Sequence, residues 1–366
     1  MKRLPILIIV LLVVQSESLY AQTSLDSTIN KARNSIISLI EEESIVGLSI
    51  TVSYNDSIIW SEGFGYSDLN GKKAIDPSRT LFRIASISKP FTATILGRLC
   101  EEKTIDFESS LYSYVPNFPK KEFDFTIFHL ATHRSGIRHY NALEKENYKP
   151  LSIEEGLAKF KKSKLKFQPG TAYLYSSYGY NLLGFAMEKA SNKSFEELLK
   201  TYITIPLDLN NTIPDYGIYD TLELSGFFKS NGKGKVKASK SVNYGMKLPS
   251  GGLLSTSEDL VTFGNSYAYN RLLTKETQFK MLTDNSLPNG KKTGYGIGWG
   301  LKVDKKGRKI ISHTGGNTGS VCRLIVYPES KLTIAVVSNT FGIDWLKFIS
   351  TVNNIPNMIL EGEDSN

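Results

Sequence analysis

Strand-patterned segments at both ends of the chain, with a long helix-and-loop middle, predict a mixed α/β (α+β) fold. The expected architecture is a central antiparallel sheet built from N- and C-terminal segments, flanked by helices, with a helical lobe inserted between them. Short apolar runs bounded by turn residues lie at 47–61 and again at 309–338, whereas 86–248 reads mostly as helix and loop. No internal repeat is visible in the 366 residues. With 40% hydrophobic and 22% charged residues the chain buries a substantial core, which excludes disordered, collagen-like and disulfide-scaffold proteins. The expected division is a leader at 1–21 and a single domain at 22–366. Its α/β part covers about 22–85 and 249–366, and the helical lobe about 86–248.

The elements follow in order. Lys2 and Arg3 precede the apolar run Leu4–Val14, and a more polar stretch ends at Ala21. This is the pattern of a secretory signal peptide cut after Ala21, and the run is too short for the ~20 residues of a membrane helix. Leu19 stands where a smaller residue is usual, so an uncleaved anchor is the alternative. Export to the periplasm or medium of a bacterial envelope is the expectation, with no stable membrane span after cleavage. Leu25, Ile29, Ala32, Ile36, Ile37 and Ile40 recur at helical spacing over 25–43. Gly47–Ser53 and Ser57–Ser61 read as two strands around Asn55-Asp56, with Gly63 and Gly65 breaking the second. Ser194 with Glu197, and Ser255 with Glu258, read as capping boxes, the second for a helix over about 256–268. Lys229–Lys240 reads as a solvated loop, Trp345–Val352 as a closing amphipathic helix, and the remainder as an acidic tail. Cys100 and Cys322 are expected as two separate buried thiols.

The sharpest chemical signal is Ser86-Ile87-Ser88-Lys89, followed by Pro90 and an apolar helical run. A helix starting near Ser86 puts Ser86 and Lys89 one turn apart on one face, with the hydroxyl at the positive end of the helix and an amine beside it. Pro90 must then fall in the first turn, where a missing N–H costs little. Alone this spacing is common by chance. Two further elements follow in order: Tyr173-Leu174-Tyr175-Ser176-Ser177 ahead of a helix, and His313-Thr314-Gly315-Gly316 at the end of a strand. Tyr175 offers a second acid/base, and the His-Thr-Gly strand offers backbone N–H groups to a bound acyl group.

The ordered set resembles the penicillin-recognising serine hydrolases, the class C β-lactamase and D-alanyl-D-alanine carboxypeptidase-like group. LFRIASISKPFTA (81–93), LATHRSGI (130–137), QPGTAYLYSSYGYNLLG (168–184), PSGGLLSTSEDL (249–260), YGIGWG (295–300) and SHTGGNTG (312–319) all look like that family's blocks. YVPNFPKK (114–121) and HRSGIRHY (133–140) are similar to the mitochondrial serine β-lactamase-like branch and its bacterial relatives. The resemblance implies a β-lactamase/transpeptidase-like fold and no cofactor. It makes Ser86 the acylated nucleophile, Lys89 its general base and Tyr175 the proton relay, with His313 opening the third motif. It places the oxyanion hole at the N–H groups of Ser86 and Gly316, with Ser177, Thr314 and Gly315 at the substrate. Two positions depart from the family: Ser177 stands where Asn is usual, and His313 where Lys is common. Expected substrates are small peptides, esters or β-lactams, cell-wall derived among them. The alternative is a catalytically weak or inactive relative that binds cell-wall peptides or a protein partner.

Other chemistries are poorly supported. His129 and His133 have the spacing of a zinc-protease helix, but Leu130 replaces the required Glu, so no metal is expected and solvated or capping histidines are the reading. There is no G-x-S-x-G elbow, Walker loop or dinucleotide fingerprint in the chain. The net charge of +8 leaves nucleic acid or an anionic envelope polymer open. The Lys clusters at 161–166 and 229–240 lack interleaved aromatics, so no nucleic-acid partner is expected.

Overall fold

Polar–apolar alternation fails in the central strands because both faces of the sheet are covered. The computed structural model describes residues 25–363 apart from 145, 147, 218–222 and 233, so the leader segment lies outside the described residues. Helix α1 (25–43) leads into strand β1 (Gly47–Tyr54), buried at every position but the last. Asn55 and Asp56, with φ of 49° and 68°, make the tight turn into β2 (Ser57–Gly65). Two left-handed central residues match the right-handed twist of a hairpin. Near the other terminus lie β8 (Gly300–Val303), β9 (Lys309–Asn317), β10 (Ser320–Tyr327), β11 (Leu332–Ser338) and the short β12 (Thr340–Phe341). The main sheet runs β2-β1-β11-β10-β9-β8, antiparallel throughout, so its first two strands and last four come from opposite ends of the chain.

Successive residues of one strand serve different cores. Ile334 and Val336 pack with Ala32, Ile36 and Leu39 of α1 and with Phe348, Val352 and Ile355 of the closing helix α10 (Trp345–Glu363). Ala335 and Val337 face the larger core, shared with the lobe and with α8 (Ser257–Ala268). That lobe holds α2 (Ser88–Glu101), α3 (Ile127–Ala131), α4 (Ile153–Gly156), α5 (Ser177–Ser191), α6 (Phe195–Leu199) and α7 (Leu248–Gly251), with α9 (Lys275–Met281) following α8. The strands β3 (Phe82–Arg83), β4 (Ile213–Pro214) and β7 (Leu253–Ser255) form a three-stranded sheet where lobe and main sheet meet.

The expected sheet from two distant segments is present, and five local expectations are corrected. Gly63 does not break β2: the strand runs through to Gly65, and a Cβ at Gly63 would stand 2.0 Å from the Ile75 carbonyl oxygen, so this glycine admits a close backbone approach. Thr256, not Ser255, caps α8 by accepting from the Asp259 N–H, because Ser255 is the last residue of β7 and pairs with Phe82. Lys229–Lys240 is no simple loop but most of a hairpin, β5 (Phe228–Ser230) with β6 (Val236–Ala238), held to the sheet through parallel pairing of β5 with β12. The middle of the chain therefore contains short strands as well as helix and loop. The closing helix runs well past Val352, through Pro356 to Glu363, because Ile355, Ile359 and Leu360 continue its buried stripe.

Arg83 ties this junction together. Its Nε lies 2.7 Å from Asp215 Oδ2, with the two side chains 1% and 0% exposed. Nη1 donates to the Thr318 carbonyl at 3.0 Å, in the β9–β10 turn, and the guanidinium sits 3.6 Å from the Phe227 ring centroid. Removing one member of a buried pair strands the other charge, at a cost of ~3–5 kcal/mol, whereas replacing both with apolar groups costs less. Arg83→Met should therefore destabilise by about that amount in urea denaturation, and Arg83→Met with Asp215→Leu by clearly less. Equal losses in the single and double variants would refute this account of the junction.

Candidate active site

A 3₁₀ turn, Ala85–Ile87, enters α2 and carries Ser86. Ala85 has φ of 46°, a left-handed conformation that costs an ordinary residue about 1 kcal/mol or more. The turn is held by Ser88 Oγ donating to the Ala85 carbonyl at 2.8 Å and by the Ile87 N–H on the Ile84 carbonyl at 3.0 Å. β9 presses against the turn at Gly315, where a Cβ would stand 2.4 Å from both the Ile84 oxygen and Cys322 Sγ. Pro90 falls in the first turn of α2, and Ser86 and Lys89 meet as the spacing predicted.

Lys89 is fully buried. Its Nζ lies 3.2 Å from Ser86 Oγ, 3.2 Å from Ser177 Oγ and 2.6 Å from the Ser250 carbonyl oxygen. Two hydroxyls and a carbonyl supply no negative charge. Burial first, and the positive charge of Lys247 second, hold the Lys89 pKa well below that of a free lysine. A neutral amine fits these contacts: two N–H groups for the Ser250 carbonyl and Ser177, and a lone pair toward Ser86. The Tyr175 ring centroid is 4.9 Å from Nζ. Burial pushes the Tyr175 phenol upward against the opposing effect of its hydrogen bond with Ser86, so it stays a protonated phenol at neutral pH.

His313 is buried, with Nδ1 2.8 Å from the Thr314 carbonyl oxygen and Nε2 3.1 Å from the Tyr295 hydroxyl. A carbonyl only accepts, so Nδ1 carries the proton and Nε2 accepts from Tyr295. Burial and the nearby Lys89 charge bring its pKa down to about 3. β8 pairs with β9 only from Lys309 to Ser312, so beyond that point the β9 edge is uncovered by β8. A cavity of about 670 Å³ opens there, lined by Ser86, Tyr175, His313, Thr314 and Gly316. Lys89 and Ser177 lie buried behind Ser86, and Gly315 contacts the serine turn.

Sequence reasoning missed several site residues. Tyr140 and Tyr295 on the cavity wall, and Ser250 on the Lys89 amine, lay within the family-like blocks without a role, Trp345 was read only as the start of the closing helix, and Arg323 carried no local signal. The histidines need correction. His129 caps its helix as expected, its Nδ1 accepting from the Thr126 N–H at 3.3 Å. His133, however, lies beyond the end of α3 at φ 59° and is 1% exposed, so it is neither solvated nor a cap, while His139, to which the sequence assigned no role, is half-buried. Both accept hydrogen bonds from the segment that carries Tyr175.

A serine and a buried lysine on one helical turn, beneath the free edge of an antiparallel sheet, define the class of penicillin-recognising serine proteins. The chain belongs to the beta-lactamase family, whose model matches residues 32–346. It is 28% identical to the mitochondrial serine beta-lactamase-like protein LACTB of Homo sapiens, over 82% of this chain and 72% of that protein. It is 26% identical to the D-alanyl-D-alanine-carboxypeptidase/endopeptidase AmpH of Escherichia coli strain K12, over 79% of this chain and 77% of that one. The octameric penicillin-binding protein homologue from Pyrococcus abyssi superposes with a TM-score of 0.78 at 25% identity, covering 91% of this chain and 77% of that one.

The buried histidines make stability depend on pH. Imidazoles free in the unfolded chain protonate near 6.5, whereas burial holds His133 well below that and His313 at about 3. Their contribution is therefore complete above about pH 6.5 and is lost as the pH falls toward the folded values. Each contributes a slope of up to about 1.4 kcal/mol per pH unit in that window. The urea midpoint should fall steeply between pH 6.5 and 5, above the range where most carboxylates titrate, and the His313→Asn variant should fall less steeply. A midpoint that does not change over that interval would contradict the burial of these rings.

Proposed function

We propose that the chain is an exported serine hydrolase that cleaves amide or ester bonds through an acyl-enzyme on Ser86. The observation that carries this reading is the buried Lys89 amine, 3.2 Å from Ser86 Oγ and with no carboxylate among its hydrogen-bond partners in the described residues. In the proposed reaction Lys89 takes the Ser86 proton as Oγ bonds to the substrate carbonyl carbon. The oxyanion develops against the N–H groups of Ser86 and Gly316. Collapse breaks the bond to the leaving group, which takes its proton from Lys89 or through the Tyr175 hydroxyl. Water, deprotonated by the same groups, then attacks the ester carbonyl and restores Ser86. Thr314 and Gly315 position the strand edge against the acyl group. A retired site that only bound peptides would have no use for a buried amine without a counter-charge, which costs folding free energy.

Incubation with a fluorescent penicillin and with a fluorophosphonate should label Ser86, read by mass spectrometry. Protein recovered from the envelope fraction should begin at Gln22, as leader cleavage after Ala21 requires. Ser86→Ala should lose the label. Lys89→Arg replaces the neutral amine by a cation that does not deprotonate, so its folded fraction should retain no more than a few per cent of the acylation rate. Label that persists in Ser86→Ala, or an active Lys89→Arg, would sink the mechanism.

The substrate reading follows from the two departures. A neutral His313 supplies no fixed positive charge, and Ser177 has shorter reach and fewer hydrogen-bonding groups than Asn. Simple esters and small peptides should thus be cleaved better than penicillins, the peptide class agreeing with AmpH, a D-alanyl-D-alanine-carboxypeptidase/endopeptidase. Values of kcat/KM for p-nitrophenyl acetate, a D-Ala-D-Ala peptide and nitrocefin test this. His313→Lys combined with Ser177→Asn should shift preference toward nitrocefin by about tenfold or more, equivalent to about 1.4 kcal/mol or above. A wild-type protein that already prefers nitrocefin over the ester by tenfold would overturn it.

A further inference from the structure

The stretch that carries Tyr175 and Ser177 has no regular structure until α5 begins at Ser177. Its backbone amides have no helix or sheet partners, so they depend on what surrounds them. The loop 133–139 supplies nearly everything. The Leu174 N–H donates to the His133 carbonyl at 2.9 Å. The Ser176 N–H donates to His133 Nδ1 at 3.1 Å, and the Ser177 N–H to His139 Nδ1 at 3.0 Å. Ser176 Oγ donates to the Arg138 carbonyl at 2.8 Å and accepts the Gly179 N–H at 2.9 Å.

Two consecutive amides therefore end on two imidazole nitrogens. An imidazole that accepts at Nδ1 is neutral and carries its proton on Nε2. His133 is fixed in that state by its neighbours as well. Its ring lies 4.4 Å from the Tyr175 ring, 4.8 Å from Tyr295 and 5.0 Å from Tyr180, and its buried Nε2 has no hydrogen-bond partner among the described residues. The ring is thus wedged behind Tyr175, with its own backbone in the left-handed region at φ 59°. His139 lies tilted against Tyr140, with ring centroids 3.8 Å apart, and approaches Tyr175 edge-on at 5.8 Å. An arrangement that spends two buried or half-buried rings on two adjacent amides fixes the direction of the side chains those amides precede.

We infer that His133 and His139 are positioning residues for acyl transfer, which as neutral Nδ1 acceptors hold the Tyr175 and Ser177 hydroxyls against Ser86 and Lys89. The inference rests on the reading of Ser86, Lys89 and Tyr175 given above. It adds that a family site with Ser in place of Asn depends on the 133–139 loop for its register. Neither ring touches the reacting atoms; they act through the segment they hold.

The test exploits a one-atom equivalence. The Oδ1 of Asn can stand where Nδ1 of His stands, whereas Gln places its polar atoms near Nε2. With p-nitrophenyl acetate, His139→Ala should lower the acylation rate about 10- to 100-fold with KM within about twofold. His139→Asn should recover to within about fivefold of wild type, and His139→Gln should stay with the alanine variant. Melting temperatures measured alongside separate positioning from stability, because a merely structural role would make rate and melting fall together in all three. Nitrogen-15 NMR of the wild-type imidazoles at pH 7 should show unprotonated Nδ1 and protonated Nε2 for both residues, a readout that stands if an alanine variant fails to fold. The inference is wrong if Asn and Gln behave alike, if His139→Ala keeps its rate within threefold, or if either Nδ1 carries a proton. A wild type that forms no acyl-enzyme while the NMR shows both acceptors would instead reject the proposed function and leave the loop with a structural role only.

Discussion

An amine deep in the protein that meets no counter-charge among the described residues is the constraint around which the rest is arranged. Lys89 reaches only two hydroxyls and a carbonyl, so the interior favours its neutral form, and the three groups come from three separate stretches of chain. Ser86 arrives on the 3₁₀ turn, Ser177 at the start of α5, and Ser250 within α7. Satisfying the amine means docking the helical lobe on the entry to α2, and any looseness there leaves a buried nitrogen unpaired. The left-handed Ala85 is tolerated because the same docking holds it.

The sheet has a complementary task. β10, buried at every position, backs β9 as a wall, and β8 begins only at Gly300, opposite Ser312, so the β9 edge beyond that pair is uncovered by β8 at the serine turn. A strand edge that would be a liability elsewhere is, on the proposed reaction, a source of backbone donors here. Gly315 sets how close the wall approaches, and Arg83 anchors the β9–β10 turn from beneath through the Thr318 carbonyl. The cavity is thus a seam between two bodies fastened at several points.

Much of this was legible without coordinates wherever the signal was local. The helix over 25–43, the strands beginning at Gly47 and Ser57 and the capping box of Ser194 with Glu197 depend on periodicity and neighbouring side chains, and they lie where the pattern put them. The Ser86–Lys89 contact is one helical turn and was equally readable. What failed was decided at a distance. Whether Ser255 caps a helix or ends a strand depends on Phe82, 173 residues earlier in the chain. Lys229–Ser230 extends because β12 offers a partner, although its own composition suggests a loop. His133 and His139 look like ordinary polar loop residues until the amides of Ser176 and Ser177 are placed beside them.

The two thiols carry a final consequence. Cys322 is fully buried with its Sγ on the Ile84 carbonyl, and burial raises its pKa, while burial and the nearby Asp106 raise Cys100 to about 12. Sulfur attacks oxidants and other sulfurs as the anion, and at neutral pH these sites hold almost none. In the unfolded chain both are ordinary, reactive cysteines. Wrong cross-links are therefore a hazard of the nascent chain rather than of the finished protein. Closure of the sheet over Cys322 takes that thiol out of reach of such chemistry.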